Sequence, residues 1–198
     1  MGVNITSKLE WKEHIDKVTS KANKTLGFLR RNVRSAPQET KEAAYKTLVR
    51  PQLEYCAAVW DPHCQYQINN LEMVQRRSAR FVLRCYHQTS SVNSMLQQLK
   101  WETLMERRAK MRIIILYKAI NNIIAVNSSN YLIPIQLTTR QNHSLTFHQI
   151  STTTNYHKYS FYPRTIVQWN ALPASVAEQS PLDQLKRALA RHPITTSL

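Results

Sequence analysis

The sequence predicts an all-α fold: a helical bundle, then a polar linker, then a small helical C-terminal unit. Over most of the first 125 positions, apolar residues recur at steps of three and four, the period of one helix face. Glycine, the usual residue of tight hairpin turns, occurs only twice in 198 residues, which disfavours a sheet of short strands. Hydrophobic residues make up 42% of the chain, enough for a globular core.

The first predicted helix begins near Trp11 and has one apolar face with basic residues beside it. The apolar positions are Ile15, Val18, Ala22, Leu26, Leu29 and Val33, and the interleaved basic positions are Lys17, Lys21, Lys24 and Arg31. This pattern predicts an amphipathic helix with a positively charged flank.

A second helix is predicted to start around Ser35, which offers an N-cap, with Pro37 in its first turn and Gln38 at the capping-box position. Its apolar positions stay in phase across Pro51, so we expect one kinked helix that ends at Asp61. These apolar positions are Tyr45, Leu48, Val49, Leu53, Cys56 and Trp60.

Three further helices complete the predicted bundle. The first has an apolar stripe of Ile68, Leu71, Val74, Ser78, Phe81 and Cys85. A short helix over 92–99 and a long one over about 102–124 follow. Residues 113–116 are all apolar, so we expect the long helix to be a central element surrounded by core.

The composition then changes. From about residue 127 to 156 serine, threonine, asparagine and glutamine dominate without a clear period, which predicts an extended or loosely ordered linker. Prolines punctuate two short helical candidates beyond it, the second opened by Ser180 and Pro181. We therefore predict a helical bundle over 1–125, a linker over 126–160 and a small unit over 161–198.

The chain is strongly basic, with 27 lysines and arginines against 12 acidic residues and a net charge of +15. A polyanion, above all nucleic acid bound through its phosphates, is the partner that this imbalance favours. Solvated helix faces are the plainer alternative, but the nearby carboxylates are too few to neutralise the arginine clusters. The candidate phosphate-binding residues are Arg30, Arg31, Arg34, Arg76, Arg77, Arg80, Arg84, Arg107, Arg108 and Arg112.

The sequence gives little support for a catalytic site or a metal site. The only aspartates are Asp16, Asp61 and Asp183, and no two are adjacent, whereas phosphoryl transfer by two metal ions needs clustered carboxylates. His63, Cys64, Cys85 and His87 have poor spacing for zinc, and no cofactor motif is present. We expect no enzymatic activity, no cofactor and no metal.

The three cysteines include no CxxC pair, so an intracellular, reducing compartment is expected, without a preference between nucleus and cytoplasm. No apolar segment is long enough to predict a membrane span or a signal peptide. Trp60, Trp101 and Trp169 could stack on bases, but their apolar neighbours favour a place in the core.

Several landmarks occur in the same order as in Jockey-like, LINE-type retrotransposon reverse transcriptases, which the chain resembles over nearly its whole length. They are KANKTLGFLRR at 21–31, YKTLVRPQLEY at 45–55, VWDPH at 59–63, VQRRSARF at 74–81, LKWETL at 99–104, PRT at 163–165 and WNALP at 169–173. Lys100 departs from the pattern, since the family commonly has glycine there. Collinear agreement of this kind is more specific than any single motif.

The resemblance implies a non-catalytic part of an RNA-directed DNA polymerase, a thumb-like helical bundle with the region that follows it. The opening residues look like the family's palm–thumb border, so we expect a truncated reading frame that lacks the catalytic core. The expected partner is duplex or RNA/DNA hybrid nucleic acid, without sequence preference. A protein-interaction or self-association module and a decayed remnant without selected function are the alternatives.

Overall fold

A computed structural model describes residues 2–8, 10–87, 90–135 and 143–194 of the chain. It has two compact units, unit 1 of Met1–Met105 and unit 2 of Glu106–Leu198. The predicted all-α class is confirmed, because the described residues form helices and, apart from one isolated bridge between Pro134 and Phe147, no β-pairing. In these ranges no helix combines the length and apolar character needed to cross a membrane.

Unit 1 contains most of the helices that the sequence predicts. Its elements are α1 (Lys12–Asn32), α2 (Gln38–Ala44), a π-helical segment (Tyr45–Val49), α3 (Arg50–Glu54), α4 (Ala57–Trp60), α5 (Gln65–Leu83) and α6 (Val92–Gln98). The long helix α7 (Leu104–Ile120) begins at the end of this unit. Unit 2 continues with α8 (Asn155–Lys158), α9 (Phe161–Asn170), α10 (Ala174–Ala177) and α11 (Leu182–Arg191).

The core of unit 1 forms where α1 packs along α5. The apolar stripe of α1 buries Ile15, Ala22, Leu26 and Leu29, while Val18 and Val33 are half-buried at its edges. On α5, Leu71, Val74 and Phe81 belong to the same core. The helical period read from the sequence therefore identifies the faces that pack together.

The chain stays helical across Pro51 by widening into the π-helical segment. Arg50 N–H bonds to the carbonyl of Tyr45, five residues back, just before the proline that lacks an N–H of its own. The extra residue in this turn rotates the following residues about the helix axis. Leu48, which the stripe placed in the core, is consequently 48% exposed, whereas Val49 is fully buried.

Two details predicted for this region are wrong. The helix starts after Pro37, not at Ser35, and no side chain caps it. It also breaks before Asp61, because Cys56 adopts a positive φ of 51° between α3 and α4 and lies exposed outside the predicted core. Trp60 is nevertheless buried, and its indole N–H donates to the carbonyl of Tyr55.

Three helices end in a left-handed residue that is not glycine, although glycine is the usual residue at this position. Arg84, Lys100 and Asn122 each have a φ of 53° just after α5, α6 and α7, and the next residue donates its N–H five residues back. This is the hydrogen bond of a Schellman C-cap, a position where glycine is favoured because it has no Cβ. Lys100 thus occupies a glycine-type turn without glycine.

The predicted boundaries of the second half need correction. The core of unit 2 contains Ile113 and Leu116 of α7 together with Phe147, Trp169 and Leu185. The end of the predicted bundle and the predicted C-terminal unit therefore share one core. The apolar side chains of α7 lie in the same core as those of α9 and α11. The second half of the long helix therefore belongs to unit 2 and does not form the end of a separate bundle.

Part of the predicted linker is a defined structure. Ile135 N–H bonds to the carbonyl of Thr146, and the side chain of Asn170 on α9 bonds to both backbone groups of Phe147. The indole N–H of Trp169 donates to the carbonyl of Leu145 at 2.7 Å. Residues 143–150 are thus held on α9, while residues 136–142 of the predicted linker lie outside the described residues.

A buried histidine closes the core of unit 1 beside Trp60. His14 Nδ1 accepts the Asn4 N–H at 3.2 Å, and the ring centre lies 5.0 Å from that of Trp60 in an edge-on arrangement. Burial, and secondarily the charge of Lys17, lower the pKa of His14 below its usual 6.5. The neutral ring is therefore the form that the fold favours.

We expect unit 1 to lose stability as the pH falls below 6.5, because the unfolded chain then binds a proton on His14 more readily than the folded chain does. The loss continues until the folded ring is protonated as well. Urea unfolding between neutral and acidic pH measures this dependence. His14→Gln keeps a hydrogen-bond acceptor without the titration, so its profile should be flatter, and identical profiles would contradict the assignment.

Candidate nucleic-acid interface

An open groove runs along one face of α1 where this helix lies beside α5. Its lining on α1 comes from residues spaced by three and four, so that they share one helix face. The residues that line it are Ser20, Asn23, Lys24, Leu26, Gly27, Arg30 and Arg31, joined by Arg77 from α5. We call this surface the α1–α5 groove.

The α1–α5 groove continues toward the N-terminus of α1, and we use the name for both parts. A second depression, lined by Asp16, Lys17, Ser20, Lys21 and Lys24, shares Ser20 and Lys24 with the first. The two have volumes of about 620 and 430 Å³. At a rise of about 1.5 Å per residue, the surface from Asp16 to Arg31 is roughly 22 Å long.

Arg77 connects the two helices that form the groove. Its guanidinium donates to the side-chain oxygen of Asn23 on α1 at 3.1 Å, while the rest of the side chain is exposed. The guanidinium is therefore positioned across the groove by a neutral partner, without an ion pair to a carboxylate of the described residues. Such a donor retains further N–H groups for an anionic ligand.

The basic side chains of the α1–α5 groove are not neutralised by carboxylates. In the described ranges, Lys17, Lys21, Lys24, Arg31 and Arg77 form no ion pair with an aspartate or glutamate. The sequence explains this, since it has six basic and no acidic residues between positions 17 and 38. The groove thus concentrates positive charge, which attracts a polyanion.

The remaining arginines of α5 differ in role. Arg76 and Arg80 are half-buried and do not line the groove. Arg84 is exposed, but its guanidinium donates to the carbonyls of Arg34 and Ala36 at 2.9 and 3.4 Å, which ties the end of α5 to the loop after α1. Its charge, after the effect of burial, also lowers the pKa of Lys41. Arg84 therefore has a structural function in addition to its charge.

Arg30 near the C-terminal end of α1 and Arg34 just after it are both exposed, but only Arg30 lines the groove. Arg30 lines the groove, and its guanidinium carbon lies 5.5 Å from the centre of the Tyr86 ring. Arg34 does not line the groove. Of the three arginines predicted here, two therefore belong to the same surface as Arg77.

The third predicted arginine cluster is not a surface feature. Arg108 is 0% and Arg112 2% exposed, and an Arg112 N–H donates to the side-chain oxygen of Gln168 at 2.8 Å. Burial, and then the charge of Arg164, lower the pKa of Arg112 to about 9. Both residues lie on the side of α7 that packs into the core, so their assignment to phosphate contact is corrected. Arg107 is half-buried and has interactions within the protein.

The tryptophans and the cysteines add nothing to this surface. Trp60, Trp101 and Trp169 are buried, which confirms the core interpretation. His63 and Cys64 are 3.5 Å apart, but no cluster of three metal-ligating side chains occurs within the ranges that the structure describes. The cysteines of these ranges are free thiols.

The candidate phosphate-binding residues predicted from the sequence are all arginines and do not include the lysines of the groove. Lys17, Lys21 and Lys24 recur at steps of four and three beside the apolar stripe, and this spacing already places them on one face. Tyr86, an aromatic residue at the end of the groove, carries no signal in the sequence that marks it.

Unit 1 is accordingly a basic helical unit with an open, unneutralised groove. Comparison with known proteins adds no relative: no family model, no curated protein and no solved structure matches the chain. The site must be interpreted from its own geometry and charge.

Proposed function

We propose that the chain binds nucleic acid through the α1–α5 groove by its phosphates and without sequence preference. The observation that carries this proposal is the row of basic side chains along one face of α1, completed by Arg77. Asp16 also lines this row, but no carboxylate of the described residues forms an ion pair with Lys17, Lys21, Lys24, Arg31 or Arg77. Phosphate recognition needs only positive charge at suitable spacing, whereas base-specific recognition needs side chains that reach base edges. The groove offers positive charge at a suitable spacing.

The dimensions of the groove agree with such a ligand. Lys17 and Lys21 are about 6 Å apart along the helix axis, and Lys17 to Arg31 spans about 21 Å. Phosphates of one duplex strand advance by about 3.4 Å, so a segment of roughly six nucleotides covers this length. Several phosphates can therefore be neutralised at once, which is the arrangement that gives tight, salt-sensitive binding.

We further propose that the chain is the thumb-like, non-catalytic part of a LINE-type retrotransposon reverse transcriptase. The ordered landmarks of the sequence support this assignment, as does the helical fold in which 21–31 and 74–81 form neighbouring parts of α1 and α5. In this role, unit 1 holds template and primer while the chemistry takes place elsewhere. Asp16 lies on α1, Asp61 just after α4 and Asp183 on α11, so these aspartates offer no carboxylate pair for metal-dependent transfer.

The test is a binding titration with a labelled RNA/DNA hybrid, measured by fluorescence anisotropy at several salt concentrations. If roughly six phosphates are neutralised, affinity should fall about a thousandfold between 50 and 200 mM salt. Affinity should be similar for hybrids of unrelated sequence. Absence of binding at low salt, or binding that does not weaken with salt, would contradict the proposal and favour an apolar protein-interaction surface.

A further inference from the structure

An exposed aromatic ring stands at one end of the α1–α5 groove. Tyr86 is 54% exposed, and the guanidinium carbon of Arg30, a groove residue, lies 5.5 Å from its ring centre. Tyr45 and Trp60 of unit 1 are buried, whereas Phe28, Tyr55 and Tyr66 are exposed to a similar extent as Tyr86. Exposure alone therefore assigns no role to this ring; Tyr86 has in addition a cation–π contact with an arginine that lines the groove.

The backbone around Tyr86 is fixed by the end of α5. Arg84 adopts a φ of 53° and bonds to the carbonyls of Arg34 and Ala36. Cys85 donates its N–H to the carbonyl of Arg80 at 3.1 Å and packs against the core of unit 1. The residue before Tyr86 is therefore anchored to α5, and the preceding one to the loop after α1. This arrangement presents the ring beside Arg30 before any ligand binds.

We infer that the groove takes a single-stranded segment of nucleic acid, with one base stacked on Tyr86 and the adjoining phosphates on Arg30, Arg31 and Lys24. This inference rests on the proposed function and adds to it: a hybrid binds the groove through its phosphates alone, whereas a single strand binds through the same phosphates and one base. Within a duplex both faces of each base are covered by neighbouring bases, so only an unpaired nucleotide offers a face to the ring. Basic grooves with aromatic platforms bind single strands in this way, and each stacked base contributes a factor of roughly five to 150 in affinity.

The contact with Arg30 suits the ring for this task. A guanidinium held near an aromatic ring by cation–π attraction limits the motion of both groups, so less conformational freedom is lost when a base stacks. The same guanidinium carries a charge for the next phosphate. Tyr86 and Arg30 are therefore adjacent side chains, one for base stacking and the other for phosphate binding.

The experiment compares two single-stranded probes with equal charge. One is an oligothymidylate of about eight nucleotides, within the roughly 4–16 nucleotides that single-strand sites cover. The other is an abasic oligonucleotide of the same length, which keeps the phosphates and lacks the bases. Anisotropy titrations at one salt concentration should give about fivefold or greater preference for the oligothymidylate.

Variants of the tyrosine locate the effect. Tyr86→Ala should abolish the preference for the base-bearing probe over the abasic probe, whereas Tyr86→Phe should retain this preference. Tyr66→Ala removes another exposed tyrosine of unit 1, away from the groove, and should behave as the wild type. Helicity by circular dichroism checks that each variant is folded.

The outcomes separate this inference from the proposed function. Equal, salt-sensitive binding of both probes by the wild type would overturn base stacking and leave phosphate binding in place. A preference that survives Tyr86→Ala would overturn the role of this ring. Failure to bind either probe or a hybrid at low salt would overturn both.

Discussion

Replacing Lys24, Arg31 and Arg77 by glutamine should reduce affinity for an RNA/DNA hybrid on the order of a hundredfold or more at about 0.1 M salt. These residues line the α1–α5 groove from both helices and form no ion pair within the described chain, so their charges are available to phosphates. Each lost phosphate contact lowers the salt dependence, and the slope of log affinity against log salt should become shallower by about 2.7. Anisotropy titrations at several salt concentrations measure both quantities.

A matched control removes the same charge elsewhere. Lys186, Arg187 and Arg191 are exposed on α11 of unit 2, and replacing them by glutamine also lowers the net charge by three. Glutamine has a helix propensity close to that of lysine and arginine, so both triple variants should keep their helicity. The control should bind nearly as the wild type does. Equal losses in the two variants would show that only net charge matters and that the groove is not the site.

Three other candidate arginines are unsuitable for replacement because they stabilise the fold. Arg84 belongs to the same cluster in the sequence, but its hydrogen bonds to Arg34 and Ala36 hold the end of α5. Its replacement would therefore disturb folding together with binding. Arg108 and Arg112 are unsuitable for the same reason, because both are buried.

Trp169→Ala should destabilise unit 2 by about 3–5 kcal/mol, the usual cost of deleting a large buried aromatic side chain. Trp169 is 0% exposed at the centre of that core, and its ring lies 5.7 Å from that of His143 in an edge-on arrangement. Because whole domains are stable by only about 5–15 kcal/mol, this change should remove much of the stability of the unit. Urea unfolding followed by circular dichroism measures it.

The same variant tests whether residues 143–150 are part of unit 2. The indole N–H of Trp169 holds the carbonyl of Leu145, so Trp169→Ala should make this segment more sensitive to limited proteolysis. Trp169→Phe keeps a six-membered aromatic ring but loses the N–H and part of the indole volume, so it should cost less than Trp169→Ala, with about 1–3 kcal/mol of its cost due to the unsatisfied carbonyl. A loss under about 1 kcal/mol for Trp169→Ala would mean that the proposed core is wrong.

Local patterns in the sequence were sufficient for α1 and α5 of unit 1. The spacing of Ile15, Ala22, Leu26 and Leu29 defines the buried face of α1, because the helical period alone decides which side chains share a face. Leu71, Val74 and Phe81 do the same for α5. The glycine shortage and the charge imbalance likewise are properties of composition, and they led to the all-α class and to an anionic partner.

Other features depended on contacts between residues far apart in the chain. Arg77 reaches Asn23 across the groove, whereas Arg112, next to the apolar run 113–116, is buried against Gln168. The apolar run predicted a buried helix, but it did not identify the partner that covers Arg112. Which flank of a helix is covered depends on the helix that packs there. The period of a sequence contains no information about that partner.

The sequence by itself therefore determined the helical class, the apolar faces and the excess of positive charge. Only the tertiary structure decided that Lys17, Lys24, Arg31 and Arg77 share one groove and that residues 143–150 dock on α9. The physical reason is the range of the interactions. Helix periodicity and capping act over a few residues, whereas burial and the meeting of charges are properties of the packed fold.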